Sequence, residues 1–227
     1  MTLREERKTV HHVTANIWFV LIGAILVVWA SIATGMVIEH SLSPAPTATP
    51  AAGPSSGPFQ VGKPAPLGSR LVSLKGQPST LAIGHKITVV AAIGTWCMYC
   101  AYMDKWVLPR LASKPGVQID VVEISPQGGI ADPGPLNPPF SGTDGQGGRA
   151  LSLAGMESNL QKYVRTYGIA RSGIHFYVAP PQVQAQWNIT GLPMIAVLNS
   201  RGETAVVHPG GMTLSQLSAA VATASQQ

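Results

Sequence analysis

Two cysteines, Cys97 and Cys100, are the only ones in this 227-residue chain. Three residues apart, they share one face of any helix that begins there. The run before them, residues 87–93, is apolar apart from Thr88 and reads as a strand covered on both faces. A strand that passes through Gly94 and Thr95 into a Cys-x-x-Cys at a helix start is the pattern of a redox-active dithiol. The first N–H groups of a helix are unpaired and its dipole is positive there, so a thiolate is favoured over a thiol. The thiolate is the attacking species in disulfide exchange, and a second thiol one turn later can resolve the mixed disulfide.

Other chemistries use the same residues differently. An inert buried pair does not require this spacing or the polar Gly94-Thr95 before it. A structural zinc site needs about four ligands, and no second cysteine pair exists. Copper(I) suits soft sulfur, so Met98, Met103 and Met194 could join the two thiolates, with His175 or His208 as a further ligand. A peroxidase would use Thr95 ahead of Cys97 together with a proline, and no suitable proline precedes it. Copper binding thus stands as the alternative to redox exchange.

The formal charge is +5, but it is dispersed. Beyond residue 60, twelve Lys/Arg and seven Asp/Glu are scattered singly. No basic stripe interleaved with aromatics is present, which argues against nucleic-acid binding. The apolar share of 45% is inflated by one N-terminal stretch. Residues 1–15 are short and polar. Residues 16–38 carry no charge, and the 22 residues 17–38 are enough to cover a hydrocarbon core of roughly 30 Å at about 1.5 Å per residue. Arg4, Arg7 and Lys8 precede this span, and no Lys or Arg follows until Lys63, which predicts a cytoplasmic N-terminus and an extracytoplasmic remainder. A cleaved signal peptide is the rival; its apolar core is ~7–15 residues with a small-residue cleavage site behind it. Residues 39–58, rich in Pro, Ala, Ser and Thr, read as a semi-extended linker that cannot bury a core.

The expected domain is 59–227. After an extended lead-in, residues 70–74 read as a short strand. The cysteine helix continues over 101–113, with Pro109 expected to kink it, and 117–124 is a second central strand. Residues 126–148 are Gly/Pro-rich without periodicity and read as a long surface-loop insertion. Residues 151–167 return to helical spacing and stop at Gly168. A strand at 174–178, a helical turn at 181–187, a strand beginning after Pro193, a hairpin at 199–203, a returning strand and a last helix from Thr213 or Ser215 complete an α/β mixed sheet flanked by helices.

Four motifs in this order resemble a known family: Val61-Gly62-Lys63-Pro64-Ala65-Pro66; Thr95-Trp96-Cys97-x-x-Cys100; the helix end Tyr167-Gly168-Ile169; and Ile189-Thr190-Gly191-Leu192-Pro193, followed by a strand and Ser200-Arg201-Gly202-Glu203. They are similar to the membrane-anchored TlpA/ResA-type thioredoxin-like proteins, thiol–disulfide oxidoreductases on the outer side of the bacterial cytoplasmic membrane. The resemblance covers roughly 59–222. It implies a thioredoxin-like fold behind one transmembrane helix, Cys97 as nucleophile, Cys100 as resolving thiol, and a cis bond at Leu192-Pro193 beside them. Trp96, Met98, Tyr99, Leu192 and Pro193 would contact substrate, with the Leu192 backbone pairing to an extended segment. It further implies protein disulfides outside the cytoplasm as substrates (apocytochrome c cysteines among them), a membrane-embedded thiol partner, and no cofactor. Met98-Tyr99 lacks the proline frequent in this family. Together with Val107-Leu108-Pro109-Arg110-Leu111, that dipeptide is closer to the disulfide oxidase and isomerase branch. Ala91 stands where many thioredoxins carry a buried acid, leaving Glu123 and Asp104 as candidates for proton relay.

Overall fold

Seven strands form one sheet in the order β2-β1-β5-β4-β3-β6-β7. The computed structural model describes residues 57–81, 86–145 and 147–227. The expected cytoplasmic segment, transmembrane span and nearly all of the linker lie outside the described residues. No helix among the described residues is long and apolar enough to cross a membrane. The compact unit that holds the sheet is Gly53–Gln227.

Strands β3 (Ile87–Ile93), β4 (Val117–Glu123) and β5 (Ile174–Val178) run parallel in the centre. Each is almost wholly buried, as in a strand covered on both faces; β3 is apolar but for Thr88, whereas β4 also buries Gln118, Asp120 and Glu123. Strand β6 (Met194–Leu198) pairs antiparallel with β3, and β7 (Thr204–Pro209) antiparallel with β6. On the other side β1 (Leu71–Ser73) lies antiparallel to β5, and its hairpin partner β2 (Pro78–Ser79) forms the far edge. Strand β2 is two residues long and carries a proline, so nothing in its sequence announces it. The sheet is mixed, as its pattern of elements predicts.

Alternation along the strands divides the core into two. Val89, Ala91, Ile93, Val121 and Ile195 face the layer holding both cysteines. Val90, Ala92, Val122, Met194 and Ala196 face a second layer with Phe59, Leu71 and Trp187. The first layer is covered by α1 (Met98–Tyr102), α2 (Leu108–Ala112), α3 (Leu153–Tyr167) and α5 (Leu214–Ser225). The second is covered by α4 (Pro181–Trp187) and the lead-in around Phe59, whose ring meets Trp187 edge-on at 5.1 Å.

The expected kink at Pro109 takes a specific form. Proline has no N–H and its ring clashes with the carbonyl four residues back. The chain widens instead into one π-turn over Met103–Val107, in which the Leu108 N–H reaches the Met103 carbonyl. The helical path then resumes as α2, with Pro109 in its first turn, where a missing N–H costs nothing. Helix α3 starts on the Ser152 side chain and ends on Gly168 in the left-handed conformation. Helix α5 starts with a full capping box between Thr213 and Gln216.

Much of the loop at 126–148 is exposed. It has almost no regular structure, yet it is not a free surface insertion. Isolated bridges pair Gln127 with Ala150 and Asp132 with Thr143, and Ala131 is buried against the cysteine layer.

Candidate active site

Strand β3 ends at Ile93, and the chain turns through Gly94 into α1. A Cβ on Gly94 would lie 2.8 Å from Trp96 Nε1 and 3.0 Å from Leu192 Cδ1, so the close packing of this turn needs glycine. Cys97 is the N-cap of α1, in extended conformation. Its Sγ accepts the Cys100 N–H at 3.4 Å, as an Asp or Ser oxygen would at a helix start. The same sulfur lies 3.8 Å from the Leu192 carbonyl oxygen, and the Leu192-Pro193 bond is cis. Cys97 is 4% exposed and Cys100 fully enclosed. Both are free thiols.

The two thiols are unequal for physical reasons. Cys97 is held below the ordinary thiol range, chiefly because the Cys100 side chain hydrogen-bonds to it, aided by the Cys100 and Tyr99 backbone and opposed by partial burial. Burial pushes Cys100 well above that range, and the neighbouring Cys97 adds to the effect. One acidic thiol at the helix start next to one more deeply buried, protonated thiol is the division of labour that nucleophilic attack and resolution need.

The fold brings the sequence-derived contact residues together. Trp96 donates its ring N–H to Ser125 Oγ at 2.8 Å. Met98 is half-buried, and Tyr99 is one of the few exposed large apolar side chains, at 45%. Leu192 is half-buried and Pro193 buried beside Cys97. The copper set is not brought together in the same way. Met194 points into the other core layer, and the Met103 sulfur already accepts the Met212 N–H at 3.2 Å. His175 pairs with Asp120 at 3.1 Å, three residues back along the sheet from Glu123, roughly 10 Å at ~3.3 Å per residue. His208 lies on the edge strand opposite Ile195. Among the described residues no group of three or more His, Cys, Asp or Glu is placed to hold a metal ion.

Two buried carboxyls lie under the dithiol, and they differ. Glu123 Oε2 accepts the Thr95 N–H at 2.8 Å, while Oε1 has no partner. Burial raises its acid group well above the carboxylate range. Asp104 follows Cys100 by four residues. Its Oδ2 accepts the Tyr163 hydroxyl at 2.6 Å and its buried Oδ1 has no partner. Burial raises Asp104 to about 7, Tyr163 pulls the other way, and negative charge on Cys97 adds to the rise. Asp104 in turn raises Cys100. Of the two relay candidates, Asp104 is the one that bears on Cys100, and its charge also raises Glu123.

Several residues around the site are not singled out by the sequence as part of it. Asn159 donates to Thr95 Oγ1 at 2.7 Å and to the Gly129 carbonyl at 3.1 Å, tying α3 to the cysteine turn. Tyr163 reads in sequence only as an apolar position of α3. Tyr167, one turn on, donates its hydroxyl to the Ala131 carbonyl. From the loop, the Ala131 N–H donates to the Thr95 carbonyl at 2.9 Å and the Gly145 N–H to the Trp96 carbonyl at 2.7 Å. The Asp144 carboxylate accepts the Met98 N–H at 2.8 Å. Phe140 packs between Tyr99 and Tyr102, with ring centroids 5.4 and 4.5 Å away.

No family model matches the chain, and no curated protein matches it in sequence. Solved structures do. An Aquifex aeolicus VF5 protein assigned provisionally to electron transport superposes with a TM-score of 0.50 at 16% identity, over 74% of this chain and all (100%) of that one. A second Aquifex aeolicus structure, assigned provisionally to electron transfer, gives 0.50 at 15% identity over 74% and 96%. A Chlorobium tepidum protein assigned provisionally as the thiol:disulfide interchange protein DsbE gives 0.50 at 14% identity over 73% and 98%. The domain has the thioredoxin fold these structures share, with a Cys-x-x-Cys at its helix start.

Proposed function

We propose that this protein is a membrane-anchored, extracytoplasmic thiol–disulfide oxidoreductase that reduces protein disulfides, as in cytochrome c maturation. The observation that carries the reading is the Cys97 sulfur at a helix N-cap, hydrogen-bonded by Cys100 and lying against the Leu192 carbonyl. The DsbE-type assignment of the Chlorobium tepidum structure agrees with it.

The steps follow from the unequal thiols. The Cys97 thiolate attacks one sulfur of a substrate disulfide. A mixed disulfide forms, and the other substrate sulfur leaves and takes up a proton. Cys100 then loses its proton, attacks Cys97 Sγ and closes the Cys97–Cys100 disulfide. The second substrate thiolate leaves and is protonated. Two cysteine thiols are oxidised and one substrate disulfide is reduced. Trp96, Met98, Tyr99, Leu192 and Pro193 surround the point of attack, where the Leu192 backbone can pair with an extended substrate segment.

The reducing direction rests on electrostatics. A strong oxidant is one whose reduced, thiolate form is stabilised. The Cys100 hydrogen bonds hold Cys97 below the ordinary thiol range and favour its thiolate. Asp144 beside Cys97 and Asp104 next to Cys100 oppose the thiolate forms, and the reducing reading gives weight to these two charges and to the family resemblance. A membrane thiol partner re-reduces the pair in this reading, and the apolar segment 16–38 holds the domain at the outer membrane face. The equilibrium potential of the full-length chain tests the direction. A value near about −270 mV supports a reductant, and one near about −120 mV a disulfide donor. A reporter that is active only outside the cytoplasm, fused after Gln227, tests the topology; an inactive fusion refutes it.

A further inference from the structure

The 126–148 loop meets the dithiol at the backbone. Three groups bracket Cys97: the Thr95 carbonyl, the Trp96 carbonyl and the Met98 N–H. Each is taken by a loop residue, respectively Ala131, Gly145 and Asp144. Two of these partners are neutral backbone N–H groups. The third is a carboxylate, which places a negatively charged group one residue from the nucleophile, at a helix end whose own N–H groups present positive partial charges. A neutral acceptor would satisfy the Met98 N–H equally well, so the charge itself is not needed to hold the loop.

We propose that Asp144 is a positioning residue through which the 126–148 loop sets the acidity of Cys97 and thereby the redox balance of the dithiol. The inference deepens the oxidoreductase reading and rests on it. In the reduced protein the Asp144 charge disfavours the Cys97 thiolate, so the couple (one disulfide taking up two electrons and two protons to give two thiols) is shifted toward stronger reducing power. The direction in which Asp144 acts on Cys97 agrees with the geometry. The other titratable groups packed around the pair are Cys100 on α1, Asp104 in the π-turn, Tyr163 on α3, which bonds Asp104, and Glu123 on β4, which accepts the Thr95 N–H. All four are buried, whereas Asp144 is exposed. Only the Asp144 contribution is therefore open to screening by salt.

Asp144→Asn keeps an oxygen for the Met98 N–H and removes the charge. The probe is iodoacetamide, which reads the thiolate fraction of Cys97 without any protein substrate. In the reduced full-length chain, D144N is expected to alkylate at Cys97 roughly two- to fivefold faster at a pH below its titration midpoint, the size of one screened charge at short range. Its glutathione equilibrium shifts toward the dithiol, making it the weaker reductant. At 1 M salt, where the Debye length is about 3 Å, the wild-type rate rises toward that of D144N. Identical wild-type and D144N profiles and potentials would overturn the proposal, leaving Asp144 as a loop tether only. If D144N failed to fold, the wild-type salt dependence decides: acceleration supports the proposal and a flat response overturns it. The oxidoreductase reading fails separately, on absence of a reversible couple in the wild type.

Discussion

The backbone N–H of Cys100 donates to the Sγ of Cys97 at 3.4 Å, so the first cysteine caps the helix that carries the second. The hydrogen bond from the Cys100 side chain, with this backbone bond adding to it, makes Cys97 the acidic member of the pair, while burial keeps Cys100 protonated. Near neutral pH, iodoacetamide should modify Cys97 well ahead of Cys100, as peptide mapping would show. Exchange with a protein disulfide should fall to background in Cys97→Ser. Cys100→Ser should instead accumulate a mixed disulfide on Cys97, visible on a non-reducing gel. Equal labelling of the two cysteines would contradict the assignment.

Asp104 gives the fold a pH dependence whose sign can be worked out. Its carboxyl sits at about 7 when folded, against about 3.9 in an unfolded chain. The folded state therefore binds the extra proton between these values. The stability contributed is fully present below about pH 4, is lost as pH rises toward 7, and stays lost above it. Asp104→Asn removes this loss, so the variant should be the more stable protein at pH 8, by on the order of a few kcal/mol. The gap should close toward pH 4. Urea unfolding at the two pH values measures it, and a constant gap would show that the carboxyl does not titrate in this range.

The layer opposite the cysteines depends on one large side chain. Trp187 is completely buried, meets Phe59 edge-on and donates its ring N–H to Ser69 Oγ at 3.0 Å. Trp187→Ala should cost about 3–5 kcal/mol, read as a lowered denaturant midpoint. Because the site lies on the other face of the sheet, the ratio of Cys97 to Cys100 alkylation in the folded variant should stay as in the wild type.

Gly94 is the tightest point of the active turn. In Gly94→Ala the new methyl meets Trp96, Leu192 and Ser125 within 3.2 Å. Trp96 must give way and lose its bond to Ser125. The exchange rate should fall at least tenfold, a loss of about 1.4 kcal/mol of transition-state stabilisation. An unchanged rate would mean that Trp96 and Leu192 are not held where substrate enters.

Much of this architecture was legible in the sequence because periodicity and punctuation agreed with packing. The apolar run at 87–93, the helical spacing of 153–167 with its Gly168 stop, and the Thr213 cap each describe a local constraint that the tertiary structure keeps. Strand β2 was invisible because it is two residues long, one of them a proline, and exists only through pairing with β1. The contacts of the loop were invisible because Gly and Pro signal irregular backbone without saying what that backbone covers. Its bonds to Thr95, Trp96 and Met98 use main-chain groups and one aspartate, none of which follows a pattern. For the same reason Asp104 and Glu123 could be named as relay candidates, but not ranked. Their difference is the reach of a buried charge to the thiols, which depends on tertiary packing rather than on any local pattern.

The central claim is that Cys97 and Cys100 form a reversible redox pair. The most direct test equilibrates the full-length chain with glutathione buffers of graded ratio and follows the Cys97–Cys100 disulfide by mass after acid quench and alkylation. The account predicts a single reversible two-electron transition on the reducing side, nearer about −270 mV than about −120 mV, and no such transition when either cysteine is replaced by serine. Failure to form an intramolecular disulfide at any glutathione ratio would contradict it.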